Sequence, residues 1–351
     1  MKSNKSARRY LSFFRPETVL FALSLWVYAY FYQGGGWNQN SRFDLVRSIV
    51  EERTQQIDSY AYNTGDLSEV NGHYYCDKAP GVSWIGVLPY TGFRMLVSAK
   101  ANDATYLSAA AYFVTVFTVA IPSAVAVAML WAFLEIFALS GFFKILITLG
   151  YALGTLAFPY ATLFYGHQPA AALLFSAFVL LARTEARPAG CGLLFGVGAL
   201  LGLSVSVDYS SALGVVPICV YAACKHPKFR PLLFLALGGA CVGILLAIYD
   251  TACFGGPFKV AYDFSVQAPR HEGGFMGIGT PKIGVLGKIL FSSYRGLFYS
   301  APWLITGIIG WSVAGIKRQW LPEMLVSLAV IVAFCWLNSS MVDWQGGWAT
   351  G

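Results

Sequence analysis

Long apolar runs separated by short polar segments dominate the chain. They cover residues 18–32, 106–139, 144–160, 162–182, 190–207, 211–224, 231–250, 290–314 and 321–338. Most approach the roughly 20 residues that a helix needs to cross a bilayer. The pattern predicts an all-α polytopic membrane protein, a bundle of about nine to eleven transmembrane helices. Segment 81–140 decides the count, because it fits either one crossing or three: 81–98 reads as a span or as an interfacial or re-entrant helix. Residues 106–139, with Pro122 near the middle, read as one long kinked helix or two short ones.

Composition agrees with the pattern. Of 351 residues 57% are hydrophobic and 12% charged, which excludes soluble, disordered and fibrous classes. The net charge of +7 does not mark a nucleic-acid partner, since the basic residues form no stripe or aromatic-interleaved patch. They mark sidedness instead. Lys2, Lys5, Arg8, Arg9 and Arg15 precede the first span, and further basic clusters fall at Arg183/Arg187, Lys225/Lys228/Arg230 and Lys317/Arg318. The positive-inside rule places all of these in the cytoplasm. No cleavage site follows the first apolar run, which therefore reads as an uncleaved anchor. The chain divides into a tail (1–16), a first span (17–33), an external loop (34–80), a membrane bundle (81–250), an external glycine-rich loop (251–288) and a last part (289–351), all in one domain. The seven cysteines form no CxxC pair; one bridge between Cys76 and Cys253 is an option, against the plain reading of buried apolar residues.

The acids lie on the other side. Loop 34–80 holds Asp44, Glu51, Glu52, Asp58, Asp66, Glu69 and Asp77, seven of the 17 in the chain, and His167, Asp208, Asp250 and Asp343 fall on or near the same face. Any active site is expected there. Residues 41–58 read as an amphipathic helix lying along the membrane, with Phe43, Val46, Ile49 and Val50 on its apolar face. Ser41 and Asp44 fit a capping box, and Asp44 is equally a candidate catalytic carboxylate. Residues 59–81 are turn-rich at Asn63, Gly65, Asn71 and Gly72, then close on Asp77, Lys78 and Pro80. A Lys beside an Asp at a membrane helix mouth needs a partner. It reads as a local ion pair or as a phosphate site whose Lys is held by Asp77.

The order of a first span, a long external loop with a juxtamembrane helix, and the segment NGHYYCDKAPG (71–81) resembles the GT-C glycosyltransferases, in particular bacterial enzymes related to protein mannosyltransferases and to the aminoarabinose transferase of lipid A. In those relatives the loop carries an acidic pair, a spacer, then Arg and an aromatic; here the stretch is Gln39, Asn40, Ser41, Arg42, Phe43. The Arg-aromatic step is kept and the acids are amides, so Asp44 is the nearest carboxylate. The resemblance implies a GT-C-like bundle in a bacterial cytoplasmic membrane with an extracytoplasmic active face. It implies transfer of a sugar from a polyprenyl-phosphate donor to a lipid, glycan or protein acceptor. Asp44 would take the acceptor's proton. Lys78 and Arg295 would offset charge on the leaving lipid phosphate, with Arg42, Tyr74, Tyr75 and Asp208 binding substrate and Trp37 a further stacking surface. It also puts Asp77 and His167 in one cavity, where a divalent cation is an option. The chain stops at DWQGGWATG, where such relatives continue, and is expected to be incomplete.

The remaining motifs carry less. GVLGK (284–288) lacks Walker spacing and a preceding strand, so 254–288 reads as a loop over a cavity. His271 and Glu272 read as solvated, Arg295 alternatively as a headgroup anchor, and Asp208, Tyr209 and Asp250 alternatively as helix-end residues. The rival class is a lipid or sugar transporter or a carrier-binding protein. A transporter needs ionisable residues at mid-span, and Glu135, near a helix end, is the main one.

Overall fold

The computed structural model describes residues 15–97, 103–186, 190–267, 277–317 and 320–346. The basic clusters at 2–9, 187 and 318, His271 with Glu272, and the final 347–351 lie outside the described residues. The described elements are helical apart from one hairpin.

The first helix, α1 (Pro16–Tyr30), begins on a proline, whose missing N–H costs nothing at a helix start, and packs against α5. In the loop that follows, α2 (Trp37–Arg47) starts four residues earlier than the sequence pattern suggests. Gly36, at φ 148°, is a backbone that only glycine adopts readily and turns the chain into the helix at Trp37. The expected 41–58 helix is thus corrected: a π-helical turn (Ser48–Glu52) follows α2, Arg53 closes it in the left-handed region, and a 3₁₀ helix (Asp58–Asn63) runs beyond. Ser41 is not a cap. It lies inside the helix and donates to the Asp66 carbonyl at 2.6 Å. Nor does α2 rest on a surface, for it is buried on both sides: Phe43 and Val46 pack with Val82 and Tyr90, and Leu45 with Ile57, Leu67 and Cys76.

Strands β1 (Leu67–Val70) and β2 (His73–Cys76) pair antiparallel around Asn71 and Gly72, both with positive φ. This is the two-residue Asn-Gly turn that matches strand twist. Helix α3 (Gly81–Leu96) follows and lies against α2; Glu51 on the π turn accepts from the Tyr90 hydroxyl and is 3.6 Å from Arg94.

Next comes a continuous helix, Ala104–Leu134, made of α4 (Ala104–Thr115), a π turn (Val116–Ala120) and α5 (Ile121–Leu134). Of the two sequence readings the single long helix holds. The π turn directly before Pro122 absorbs the hydrogen bond that proline cannot make. Helices α6 (Gly141–Gly154), α7 (His167–Ala182), α8 (Cys191–Val207), α9 (Ala212–Lys225) and α10 (Phe229–Phe254) complete the centre. The expected 290–314 run is corrected to separate pieces: α11 (Ile283–Phe291), a turn at Leu297–Ser300, a 3₁₀ turn from Pro302 and α12 (Ile305–Ile316). Gly296 and Pro302 punctuate the run. The last helix is α13 (Leu321–Ser340).

Among the described residues, three helices are long and apolar enough to cross a membrane, Ala104–Leu134, Phe229–Phe254 and Leu321–Ser340, and five shorter apolar helices accompany them. Basic side chains close one end of the bundle. Arg183 donates to the Ala132 carbonyl and Lys225 to the Ala182 carbonyl, at 3.4 and 2.9 Å. Cys76 and Cys253 are buried and unbridged.

The tightest packing joins α8 and α10. A Cβ at Gly198 would strike the Leu235 carbonyl, and one at Gly238 the Phe195 carbonyl. Small residues let backbones approach closely where lipid supplies no hydrophobic drive between helices. Gly198→Leu or Gly238→Leu is therefore expected to force the pair apart and cost at least about 1–3 kcal/mol, read as a lowered unfolding midpoint of the purified protein in detergent. An unchanged midpoint for both variants would contradict this packing.

Candidate functional site

Hairpin register places two carboxylates side by side. Leu67 pairs with Cys76, so Asp66 and Asp77 are the next positions out on the two arms. Both are buried, and Lys78 lies between them with Nζ 3.0 Å from an oxygen of each. Burying one carboxylate without a partner is expensive, and two facing each other more so, unless a cation is shared. Gln267 reaches Asp66 at 3.2 Å and the Gly65 carbonyl at 3.1 Å, and Ser68 donates to the Ala261 carbonyl at 2.6 Å. Segment 261–267 is thereby fastened to the hairpin. The Tyr262 ring faces Lys78 with its centroid 5.6 Å from Nζ.

Arg42 connects this group to a second one. Its guanidinium donates to the Ala79 carbonyl at 3.0 Å and to Asn38 at 2.9 Å. A Cβ built on Gly166 would lie 3.3 Å from Arg42 Nη2 and would collide with the Val207 carbonyl. The segments entering α7 and leaving α8 therefore meet beside Arg42, which puts His167 and Asp208 together. His167 Nδ1 is 2.7 Å from Asp208 Oδ2, while Asp208 Oδ1 accepts from the Ser210 amide and hydroxyl at 3.0 and 2.7 Å. These hydrogen bonds from His167 and Ser210 overcome burial and hold the Asp208 carboxyl down at about 2. Rings of Tyr160 and Tyr165 stand edge-on to His167 at 5.3 and 5.8 Å.

Below the His167–Asp208 pair opens a cavity of about 440 Å³, lined by both residues and Ser210 at its polar end and by Phe133, Phe178 and Val326 among its apolar walls. It lies between α5, α7, α9 and α13. A polar rim over an apolar slot suits an amphiphile with a charged or hydroxylated head.

The other expected residues are placed differently. Asp44 sits two positions from Arg42 on α2, about 200° around the helix; its Oδ1 accepts from Asn63 at 3.2 Å and its Oδ2 is buried with no hydrogen-bond partner. Arg295 is half-exposed, its guanidinium 5.1 Å from the Tyr294 ring centroid, and its charge acts on Tyr160, on the outer side of the His167 ring. Tyr75 is buried against Phe254, with ring centroids 5.6 Å apart, and Tyr74 packs at the Leu45–Ile57 cluster; both serve packing. Trp37 is exposed, and Asp250 is buried at the end of α10. Asp77 is engaged by Lys78 and His167 by Asp208, so the two are not a shared ligand set, and no group of three His, Cys, Asp or Glu side chains among the described residues could hold a metal ion. Asp66, Ser210, Tyr262 and Gln267 are the members that the sequence pattern did not single out; the Asn71-Gly72 turn was the available signal for Asp66.

No family model matches the chain, and no curated protein or solved structure is significantly similar to it.

Burial pushes the Asp44 carboxyl up to about 7, against the opposing pull of Asn63 and Arg47. The folded chain then binds a proton more tightly than the unfolded one, so stability is fullest below pH ~4 and declines as pH rises toward 7, by an order of 4 kcal/mol in all. Asp208 acts in the opposite sense and only below that window, with stability lost as pH falls toward 2. Unfolding midpoints between pH 4 and 7 should fall with rising pH in the native protein and fall less steeply in Asp44→Asn; a parallel slope in the variant would refute the assignment.

Proposed function

We propose that this chain is an integral membrane glycosyltransferase of GT-C type, moving a sugar from a polyprenyl-phosphate donor to a hydroxyl acceptor on the extracytoplasmic face. The observation that carries the reading is the convergence of Arg42, the Asp66–Lys78–Asp77 group and the His167–Asp208 pair at the end of the bundle opposite its basic rim, with His167 and Asp208 on the rim of a largely apolar cavity. A lipid-linked sugar phosphate has the matching parts: a tail for the slot, an anionic link for Arg42 and Lys78, and an anomeric carbon between them and the rim.

In this reading the chain crosses the membrane nine times, through α1, the α4–α5 helix, α6, α7, α8, α9, α10, residues 297–316 and α13, and α3 lies with the external loop. The N-terminus is cytoplasmic, and the membrane is a bacterial cytoplasmic membrane. Shorter helices such as α6 would complete their crossings with flanking residues and local thinning of the bilayer. Arg42 and Lys78, already paired with carbonyl and carboxylate groups, are held rigidly where negative charge develops on the leaving phosphate.

The test uses the full chain in liposomes with a panel of polyprenyl-phosphate hexoses and pentoses carrying labelled sugar. Cleavage of the sugar–phosphate bond with label in an acceptor or in water is expected. Lys78→Arg, which keeps a cation between Asp66 and Asp77 but alters its shape, should lower the rate about tenfold or more. Movement of intact donor across the bilayer with no bond cleaved would overturn the enzyme reading in favour of a transporter.

A further inference from the structure

We propose that His167 is the general base of the transfer and that Asp208 is the positioning residue that holds it in its reactive tautomer. The inference rests on the glycosyltransfer reading and deepens it, by supplying a base where Gln39 and Asn40 cannot act as one.

Positions 39 and 40 are amides, and the nearest carboxylate, Asp44, is 2% exposed and turned toward Asn63. An acceptor hydroxyl cannot reach it from the side of α2 that carries Arg42. His167 is the opposite case, with its side chain 54% exposed at the first turn of α7 and on the wall of the apolar cavity. Asp208 is ionised, and a carboxylate only accepts hydrogen bonds, so the proton of neutral His167 resides on Nδ1 at 2.7 Å. That leaves the Nε2 lone pair to take a proton. Asp208 is itself fixed by two donors from Ser210, and the edge-on rings of Tyr160 and Tyr165 limit rotation of the imidazole. This is the acid-oriented imidazole arrangement used elsewhere to activate hydroxyls.

The step balances without any co-reactant. The acceptor oxygen forms a bond to the anomeric carbon as the bond from that carbon to the phosphate oxygen breaks. The electron pair leaves on the lipid phosphate, and the acceptor's proton passes to Nε2. The resulting imidazolium is stabilised by Asp208 and returns its proton to water.

Binding the donor's phosphate is the other role open to a histidine at this place, and the experiment separates the two. Transfer by the full chain in liposomes is measured with the same donor panel, and affinity is measured separately with polyprenyl phosphate. His167→Ala is expected to lower kcat about 10²–10⁴-fold, leave polyprenyl phosphate affinity within about twofold, and regain activity with added imidazole. His167→Gln keeps a donor for Asp208 and guards against misfolding; it should show the same loss with an unchanged unfolding midpoint. Asp208→Asn should lower kcat with little change in KM and without rescue by imidazole. Retained kcat in His167→Gln, a loss confined to lipid-phosphate affinity, or failure of imidazole to restore His167→Ala would overturn the base assignment while wild-type transfer stands. A wild-type protein that leaves every donor intact would overturn the glycosyltransfer reading itself, and the base with it.

Discussion

Two buried carboxylates share one lysine, and the loop between the first helix and Gly81 is organised around that contact. Asp66 and Asp77 are opposed by the register of a hairpin with four-residue strands. Without Lys78 the two charges would repel at short range in a site shielded from water, and loss of one partner from such a group typically costs 3–5 kcal/mol. The lysine has its own desolvation cost, met by both acids and the Tyr262 face. Because Lys78 lies two residues beyond β2 and next to Ala79, satisfying it also fixes where Ala79 presents its carbonyl to Arg42. Gln267 then ties a segment almost two hundred residues later to the same acid.

The arrangement of the membrane part follows a simpler logic. Apolar helices pack through small residues, and polar groups are displaced to the ends, where Arg183 and Lys225 find carbonyls at one side and the acids find cations at the other. The one sizeable cavity among those described opens where α7 and α9 begin at His167 and just after Asp208. Its chemistry is divided by depth, with hydrogen-bonding groups at the rim and rings and branched side chains beneath.

Part of this was legible from residues alone. Charge asymmetry along the apolar runs distinguished two ends, and Asp77 and Lys78 stood out because ionisable groups beside membrane helices require partners, whereas Arg42 and His167 entered through the family resemblance and Asp208 only as a polar helix end. Two features escaped for definable reasons. The 41–58 periodicity suggested a helix capped at Ser41, but Gly36 permits an earlier start, and that shift puts Ser41 inside the helix, where it donates to the Asp66 carbonyl instead of capping. The turn residues Asn71 and Gly72 were read as turn chemistry without register; counting outward from them pairs 66 with 77 and would have marked Asp66 at once. Which of several acids meets which base is a tertiary property, and only the packing of α7 against α8 beside Arg42 brings residues 167 and 208 together.

The confinement of the site's ionisable groups to one end of the bundle has an electrical consequence. A charge carried through a bilayer exchanges about 2.3 kcal/mol per 100 mV with the membrane potential. On the proposed reading, a bond exchange among Arg42, Lys78, His167 and Asp208 would displace charge only within that rim, across little of the transmembrane field. Sugar transfer of that kind would run at the same rate in energised and de-energised membranes, whereas passage of a lipid phosphate through the bundle would follow the voltage.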